Sequence, residues 1–148
     1  PATDLRALVT KGFWPEIKAK SATNRIIREV FSAKTKEAKG VTVRIVDIHP
    51  ASRQIPRQPH RHDDFEEVIH ILKGSGKFWA DGEWTNINTG DTLLVPTGVP
   101  HATFNLTDKM LRLMCFFPVA AGVDKQVLIN LKIRLDDQNE SNWRKTRH

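Results

Sequence analysis

Residues 90–105 read GDTLLVPTGVPHATFN, and this stretch decides the fold. Its runs DTLLVP and HATFNL are short and rich in apolar and β-branched residues, which is typical of strands. The segment TGVP between them carries a glycine and a proline, residues that favour turns and interrupt strands. The stretch therefore predicts two strands joined by a tight connection, with His101 at the start of the second strand.

A second stretch, residues 59–67, reads PHRHDDFEE and holds further candidate metal ligands. Residues two apart in a strand point to the same face, so His60 and His62 can present both imidazoles to one ion. A carboxylate after the following turn adds an oxygen ligand, and both Glu66 and Glu67 are candidates. Taken alone, such a histidine pair is more often solvated surface, so the interpretation depends on the surrounding pattern.

The spacing in both stretches resembles that of the cupin superfamily. The second cupin motif, G(x)5PxG(x)2H(x)3N, is matched at every fixed position, namely Gly90, Pro96, Gly98, His101 and Asn105. The first motif, G(x)5HxH(x)3-4E(x)6G, is matched at His60, His62, Glu67 and Gly74, whereas Gln54 stands in place of its first glycine. The motif spacing selects Glu67 over Glu66, because six residues separate Glu67 from Gly74.

The resemblance covers roughly residues 25–118 and implies an all-β, cupin-type β-barrel, a jelly-roll-like double-stranded β-helix. It also implies one divalent transition metal inside the barrel. Three imidazoles and a carboxylate suit Fe, Mn, Ni, Co, Cu or Zn, and iron is the metal expected from the likeness to iron-dependent cupins. Glu67 is in addition the candidate catalytic residue. The implied metal ligands are His60, His62, Glu67 and His101.

Strand-like runs continue on both sides of the motifs. The dipeptide Asp81-Gly82 lies between GKFWA and EWTNI and predicts a hairpin, because glycine tolerates the positive φ of tight turns. Many short strands with little helical pattern favour a sandwich or barrel. The other predicted strands are RIIREVFSAK, GVTVRIVDIH, EEVIHIL and MLRLMCFFP. The aromatic residues expected in the barrel core, of which one or two could instead form an apolar pocket wall, are Phe78, Phe104, Phe116 and Phe117.

Other polar residues carry less of the chemistry. His70 alternates away from Glu67 and is expected to be packed or hydrogen-bonded. Asn105 is expected to make structural hydrogen bonds. Solvated edge charges, or a mouth that receives an anionic substrate, are the two interpretations of Arg53, Arg57 and Gln58.

The length of 148 residues fits one domain. We expect a single cupin domain over 1–148, with its core at about 25–118, an N-terminal arm at 1–24 and a C-terminal extension at 119–148. The arm begins with a short helix at 3–9, since Thr and Asp precede an apolar-periodic stretch. Residues 127–135, VLINLKIRL, suit either a strand or a helix.

Composition argues against several classes of function. The net charge is +6, but acidic residues are interspersed with the basic ones, so no nucleic-acid partner is expected. No apolar run has the length of a membrane span, and the first thirty residues lack the apolar core of a secretory signal. The lone Cys115 excludes an internal disulfide and is expected to be a buried small hydrophobe. A cytoplasmic location is therefore expected.

Three hypotheses for function follow. The favoured one is a metal-dependent enzyme acting on a small oxygen-rich molecule, most simply an Fe(II) dioxygenase, which single-domain cupins with these motifs resemble. The second is non-redox decarboxylation, isomerisation or elimination, which needs a proton-transfer group; the chain has no tyrosine, unlike cupin lyases that use one as base. The third is a non-catalytic small-molecule-binding cupin. Since related cupins commonly dimerise, a homodimer is expected.

Overall fold

The computed structural model describes residues 8–50 and 56–134. In these two ranges the chain forms short β-strands and one turn of 3₁₀ helix at Trp14–Glu16. No helix of the described residues is long and apolar enough to cross a membrane. The strands are β1 (Lys20–Ala22), β2 (Arg25–Phe31), β3 (Thr42–Ile48), β4 (His60–Arg61), β5 (Glu67–Lys73), β6 (Ser75–Ala80), β7 (Glu83–Asn88), β8 (Thr92–Val95), β9 (His101–Asn105), β10 (Leu111–Phe117) and β11 (Val127–Leu128).

The strands form two antiparallel sheets. The larger sheet has the order β1-β2-β3-β10-β5-β8, and the smaller one has the order β11-β4-β9-β6-β7. Successive side chains in a strand point to opposite faces, which is why β5 and β10 alternate between buried and less buried residues. The predicted all-β, jelly-roll-like barrel is confirmed.

The main hydrophobic cluster consists of inward-facing side chains from both sheets. Ile71 and Leu111 are fully buried there, and each such side chain contributes roughly 1.5–3 kcal/mol relative to exposure. Phe78 and Phe117 belong to this cluster, as predicted.

The other two aromatic residues have different outcomes: Phe104 is confirmed as a buried core residue, whereas the prediction for Phe116 is wrong. Phe104 is buried, but it lies in a second cluster with Trp79, Ala102 and Ile133. Phe104 and Ala102 alternate with the inward-facing residues of β9, so this cluster forms on the opposite face of the smaller sheet. Phe116 is only half-buried, because it alternates with the inward-facing Cys115 and Phe117 of β10.

The hairpin predicted at Asp81-Gly82 is confirmed. Asp81 and Gly82 have φ values of 47° and 94°, and they connect the paired residues Ala80 and Glu83. Two successive positive φ angles are characteristic of the type I′ turn, whose twist matches that of the flanking strands. This turn sets the register of β6 and β7.

Both ends of the chain differ from a simple barrel core. The helix predicted for 3–9 falls largely on residues 1–7, outside the described residues, and Leu8 and Val9 are not helical. Of the stretch 127–135, Val127–Leu128 forms β11 and Ile133 makes an isolated bridge with Arg57. Strand β1 also lies outside the range 25–118 that was expected to contain the core.

Asn105 ends β9 and organises the loop to β10. Its fully buried amide Nδ2 donates to the Ile48 carbonyl at 2.9 Å and to the Lys109 carbonyl, and its Oδ1 accepts from the Thr107 backbone N–H at 2.9 Å. The predicted role of Asn105 as a structural hydrogen-bonding residue agrees with these contacts. They join β3, β9 and the loop that leads into β10.

Replacing Asn105 with alanine should lower the free energy of unfolding by roughly 2–4 kcal/mol, because buried backbone groups lose their partner. Urea denaturation followed by tryptophan fluorescence measures the change. The matched control is Asn86→Ala on β7, where the side chain is exposed and the expected change is within about 0.5 kcal/mol. Equal effects of the two substitutions would contradict this account.

Candidate metal centre

Three histidines converge at one end of the barrel interior. Strand β4 pairs with β9 so that His60 lies opposite His101, and the centroids of these two rings are 4.5 Å apart. The ring of His62 lies 5.1 Å from that of His60 and 5.8 Å from that of His101. One nitrogen of each ring lies within 4.8 Å of the others, so the cluster could hold one metal ion.

Glu67 lies beside this cluster at the start of β5. Its Oε1 is 3.3 Å from His101 Nε2 and 3.7 Å from His62 Nε2. This oxygen is buried and makes no hydrogen bond, although buried polar atoms normally have a partner. Glu66, the alternative left open by the sequence, is exposed.

Backbone contacts orient two of the histidines. His101 Nδ1 lies 2.9 Å from the Val99 carbonyl oxygen, which leaves Nε2 turned toward Glu67. The Gly98 N–H donates to the His62 carbonyl at 2.7 Å, and Gly98 has a φ of 81°, a conformation that favours glycine. The turn between β8 and β9 thus connects the two sequence motifs. Such contacts around a metal ligand fix its ring orientation.

Aromatic side chains pack against the histidine rings. Phe65 stacks on His62 with ring centroids 4.9 Å apart, and Phe78 stacks on His101 at 5.7 Å. Phe117 approaches His62 edge-on at 5.5 Å. These contacts restrict ring rotation, so the imidazoles are held in place by packing as well as by hydrogen bonds.

Burial keeps the imidazoles of His60 and His62 neutral. It lowers the pKa of His60 to about 2, assisted by the nearby His101, His62, Arg25 and Arg57. Burial also lowers the pKa of His62, against the opposing charge of Glu67. Metals bind the neutral form of histidine. Neutral imidazoles and an unpartnered carboxylate oxygen therefore fit a divalent transition metal.

The cavity that contains the cluster has both polar and apolar walls, and strands β5 and β10 form an apolar part. Ile69 of β5 and Leu113 and Phe117 of β10 line it. Cys115 is buried in the same wall, and burial together with the Glu67 charge raises the pKa of its thiol well above the usual value. The thiol is therefore protonated, in agreement with its predicted role as a small hydrophobe.

The other residues predicted from the sequence differ in where they lie relative to the cluster. His70 Nδ1 is 2.8 Å from Thr92 Oγ1, so the expected hydrogen-bonded position is confirmed. Arg57 and Gln58 do line the cavity, whereas Arg53 lies outside the described residues. The sequence reasoning missed Arg25 at the start of β2. The sequence feature that could have indicated an inward-facing Arg25 is its spacing from Ile27. Residues two apart in a strand share a face, and Ile27 packs on the core.

Two curated relatives match about half of the chain. An uncharacterised protein of Methanocaldococcus jannaschii is 31% identical over 70 residues, which cover 47% of this chain and 56% of the relative. An uncharacterised protein of Aquifex aeolicus is 30% identical over 66 residues, which cover 45% and 54%. The chain thus spans about half the length of the curated relatives it matches.

Solved structures share the fold at low sequence identity. The polyketide cyclase RemF from Streptomyces resistomycificus superposes with a TM-score of 0.69 at 18% identity, covering 91% of this chain and 93% of that one. KdgF from Halomonas sp. gives 0.63 at 15% identity, covering 79% and 98%. Bacillus subtilis oxalate decarboxylase, described with Mn(II) centres, gives 0.64 at 20% identity, covering 79% and 31%.

The family comparison covers both motifs and the strands that connect them. A family profile described as "Cupin domain" matches residues 44–117, half of the 148-residue chain. This range contains the three clustered histidines and Glu67, and the sheet topology on which they lie agrees with that of the structural neighbours. The chain therefore belongs to the cupin domain family.

Proposed function

We propose that this chain is a metal-dependent enzyme that acts on a small oxygen-rich molecule inside the barrel, most simply as an Fe(II) dioxygenase. The observation that carries the proposal is the convergence of His60, His62 and His101 beside a buried Glu67 oxygen that makes no hydrogen bond, all within one cavity. A structural barrel has no need of such a cluster, since an unsatisfied buried carboxylate costs stability.

In this proposal the metal ligands are His60, His62, His101 and Glu67. When bound, the ion supplies electrons for dioxygen activation, if it is iron, or polarisation of a substrate oxygen. The protein contributes the orientation of the imidazoles, through the Val99 carbonyl and the stacked rings, and the apolar side chains of Ile69, Leu113 and Phe117 in the cavity wall.

The described cavity offers little for separate proton transfer. Asp124 is paired with Arg44 at 3.1 Å, and this contact lowers the pKa of Asp124. Cys115 holds its proton. Glu67 is therefore the carboxylate of the cavity that remains for catalysis, but in this proposal it already binds the metal. Dioxygenase chemistry is favoured because it requires no further general base.

A second candidate is non-redox chemistry, namely decarboxylation, isomerisation or elimination. The shared fold with oxalate decarboxylase and with the polyketide cyclase RemF favours its inclusion. In this case Glu67 Oε1 would be the atom that accepts or returns a proton, since it faces the imidazoles. Non-catalytic binding of a small molecule is the third candidate, and turnover of any substrate would exclude it.

The metal assignment can be tested with two histidine variants. His101→Ala should reduce the metal content of the purified protein several-fold while the barrel remains folded, because it removes one of the clustered imidazoles. His70→Ala is the matched control, since His70 contacts Thr92 rather than the cluster. Elemental analysis measures the metal, and thermal unfolding verifies the fold. Unchanged metal content in His101→Ala would refute the assignment.

Dioxygen uptake separates the two enzymatic candidates. Protein purified without chelator or added metal is analysed for iron, and an oxygen electrode follows uptake while small oxo-acids, diketones and catechols are added. The proposal predicts near-stoichiometric iron and uptake that depends on substrate. Manganese, nickel or zinc with turnover but without oxygen uptake would instead support the non-redox candidate.

A further inference from the structure

Two arginines line the cavity of the histidine cluster and also the cavity beside it. The cavity lined by the clustered histidines and Glu67, which we call the inner chamber, has a volume of about 70 Å³, and the adjoining outer chamber has a volume of about 420 Å³. Arg25 and Arg57 line both chambers, as does His60. Both guanidinium groups therefore lie where the two chambers adjoin.

Arg25 points inward because of its position on β2. It shares a strand face with Ile27, whose side chain packs on the main hydrophobic cluster. Inward charges can protect an exposed sheet edge from pairing with other chains. That explanation does not apply here, because β1 pairs with β2 along Arg25–Ile27 and occupies the edge.

Arg57 is held in place by its surroundings. Its backbone N–H and carbonyl both bond to Ile133 at 2.7 Å, and its Nη1 donates to the Thr103 carbonyl. Its guanidinium carbon lies 5.9 Å from the centroid of the Phe104 ring. These contacts hold the Arg57 guanidinium in one position and leave its other N–H groups available as donors. A fixed guanidinium loses little entropy when it binds an anion.

The third arginine that lines the cavity is neutralised by two carboxylates, unlike Arg25 and Arg57. Arg44 contacts Glu29 at 2.9 Å and Asp124 at 3.1 Å. Within the described part of the chain, Arg25 and Arg57 form no ion pair with a carboxylate. Burial, with a smaller effect of the Arg25 charge, lowers the pKa of Arg57 to about 10. Arg25 and Arg57 line the same cavity, and neither has a direct carboxylate partner among the described residues, so both keep N–H donors that an anion can bind.

We propose that Arg25 and Arg57 bind a carboxylate group of the substrate while the rest of the molecule reaches the histidine cluster. Guanidinium groups match the planar, two-oxygen geometry of carboxylates. The small inner chamber admits only a few non-hydrogen atoms beyond that group, so the substrate class is a short carboxylic acid. This inference rests on the proposed function in one respect, since it takes the histidine cluster to be the site where the substrate reacts.

The test is isothermal titration calorimetry on the full chain, both metal-free and loaded with Mn(II). The probes are glycolate, malonate and 2-oxoglutarate, with the neutral glycolamide and malonamide as counterparts. At least one carboxylate should bind in the millimolar range or tighter, and its amide should not. Arg25→Gln and Arg57→Gln should each weaken that binding at least about tenfold.

Lys73→Gln is the matched control, because it removes one positive charge from an exposed residue outside both chambers. Its affinity for the same carboxylate should stay within about twofold. Arg57 also holds the Thr103 carbonyl, so if Arg57→Gln fails to fold, Arg25→Gln decides the result.

Three outcomes would overturn the inference. They are the absence of binding by every carboxylate, equal binding in the arginine variants, and tighter binding of inorganic phosphate than of any carboxylate. Failure of the proposed function is distinguishable. Loss of metal binding with arginine-dependent carboxylate binding intact would refute the metal enzyme alone, whereas metal binding with arginine-independent carboxylate binding would refute the inference alone.

Discussion

The antiparallel register that places His101 of β9 opposite His60 of β4 is the interaction on which the site depends. A shift of one residue would turn His101 to the other face of its strand, where Ala102 and Phe104 contact the second hydrophobic cluster. The register is held by β6, which pairs with the full length of β9, and by Asn105 at the far end of that strand. Residues far from the histidines therefore help to place His60 and His101 opposite each other.

The cavity combines a histidine cluster with a pair of arginines. Burial lowers the pKa of His60 and His62, which keeps these two imidazoles neutral and able to bind a metal. In the same cavity, Arg25 and Arg57 have no carboxylate ion-pair partner among the described residues. Under the proposal of carboxylate binding, these guanidinium groups hold one end of an anionic molecule while its other end reaches the histidines.

The chain after β10 contributes to the same cavity. Val123 joins the main hydrophobic cluster, and Asp124 neutralises Arg44. Further on, Ile133 pairs with Arg57 and packs in the second cluster. The segment after β10, which was expected only as a C-terminal extension, thus positions Arg57 and neutralises Arg44. Arg25 and Arg57 are therefore the arginines of the cavity that have no carboxylate ion-pair partner among the described residues.

The sequence by itself determined the strands, the Asp81-Gly82 hairpin and the choice of His60, His62, Glu67 and His101 as candidate ligands. These features depend on local spacing: alternation over a few residues, turn residues with positive φ and motif intervals that can be counted along the chain. Only the tertiary structure decided that Phe104 packs in a second hydrophobic cluster, that Arg25 enters the cavity and that Arg44 is neutralised. Each of these depends on contacts between residues far apart in the chain, such as Arg44 with Asp124, and strand alternation does not say which face will be covered or which charge will meet a partner.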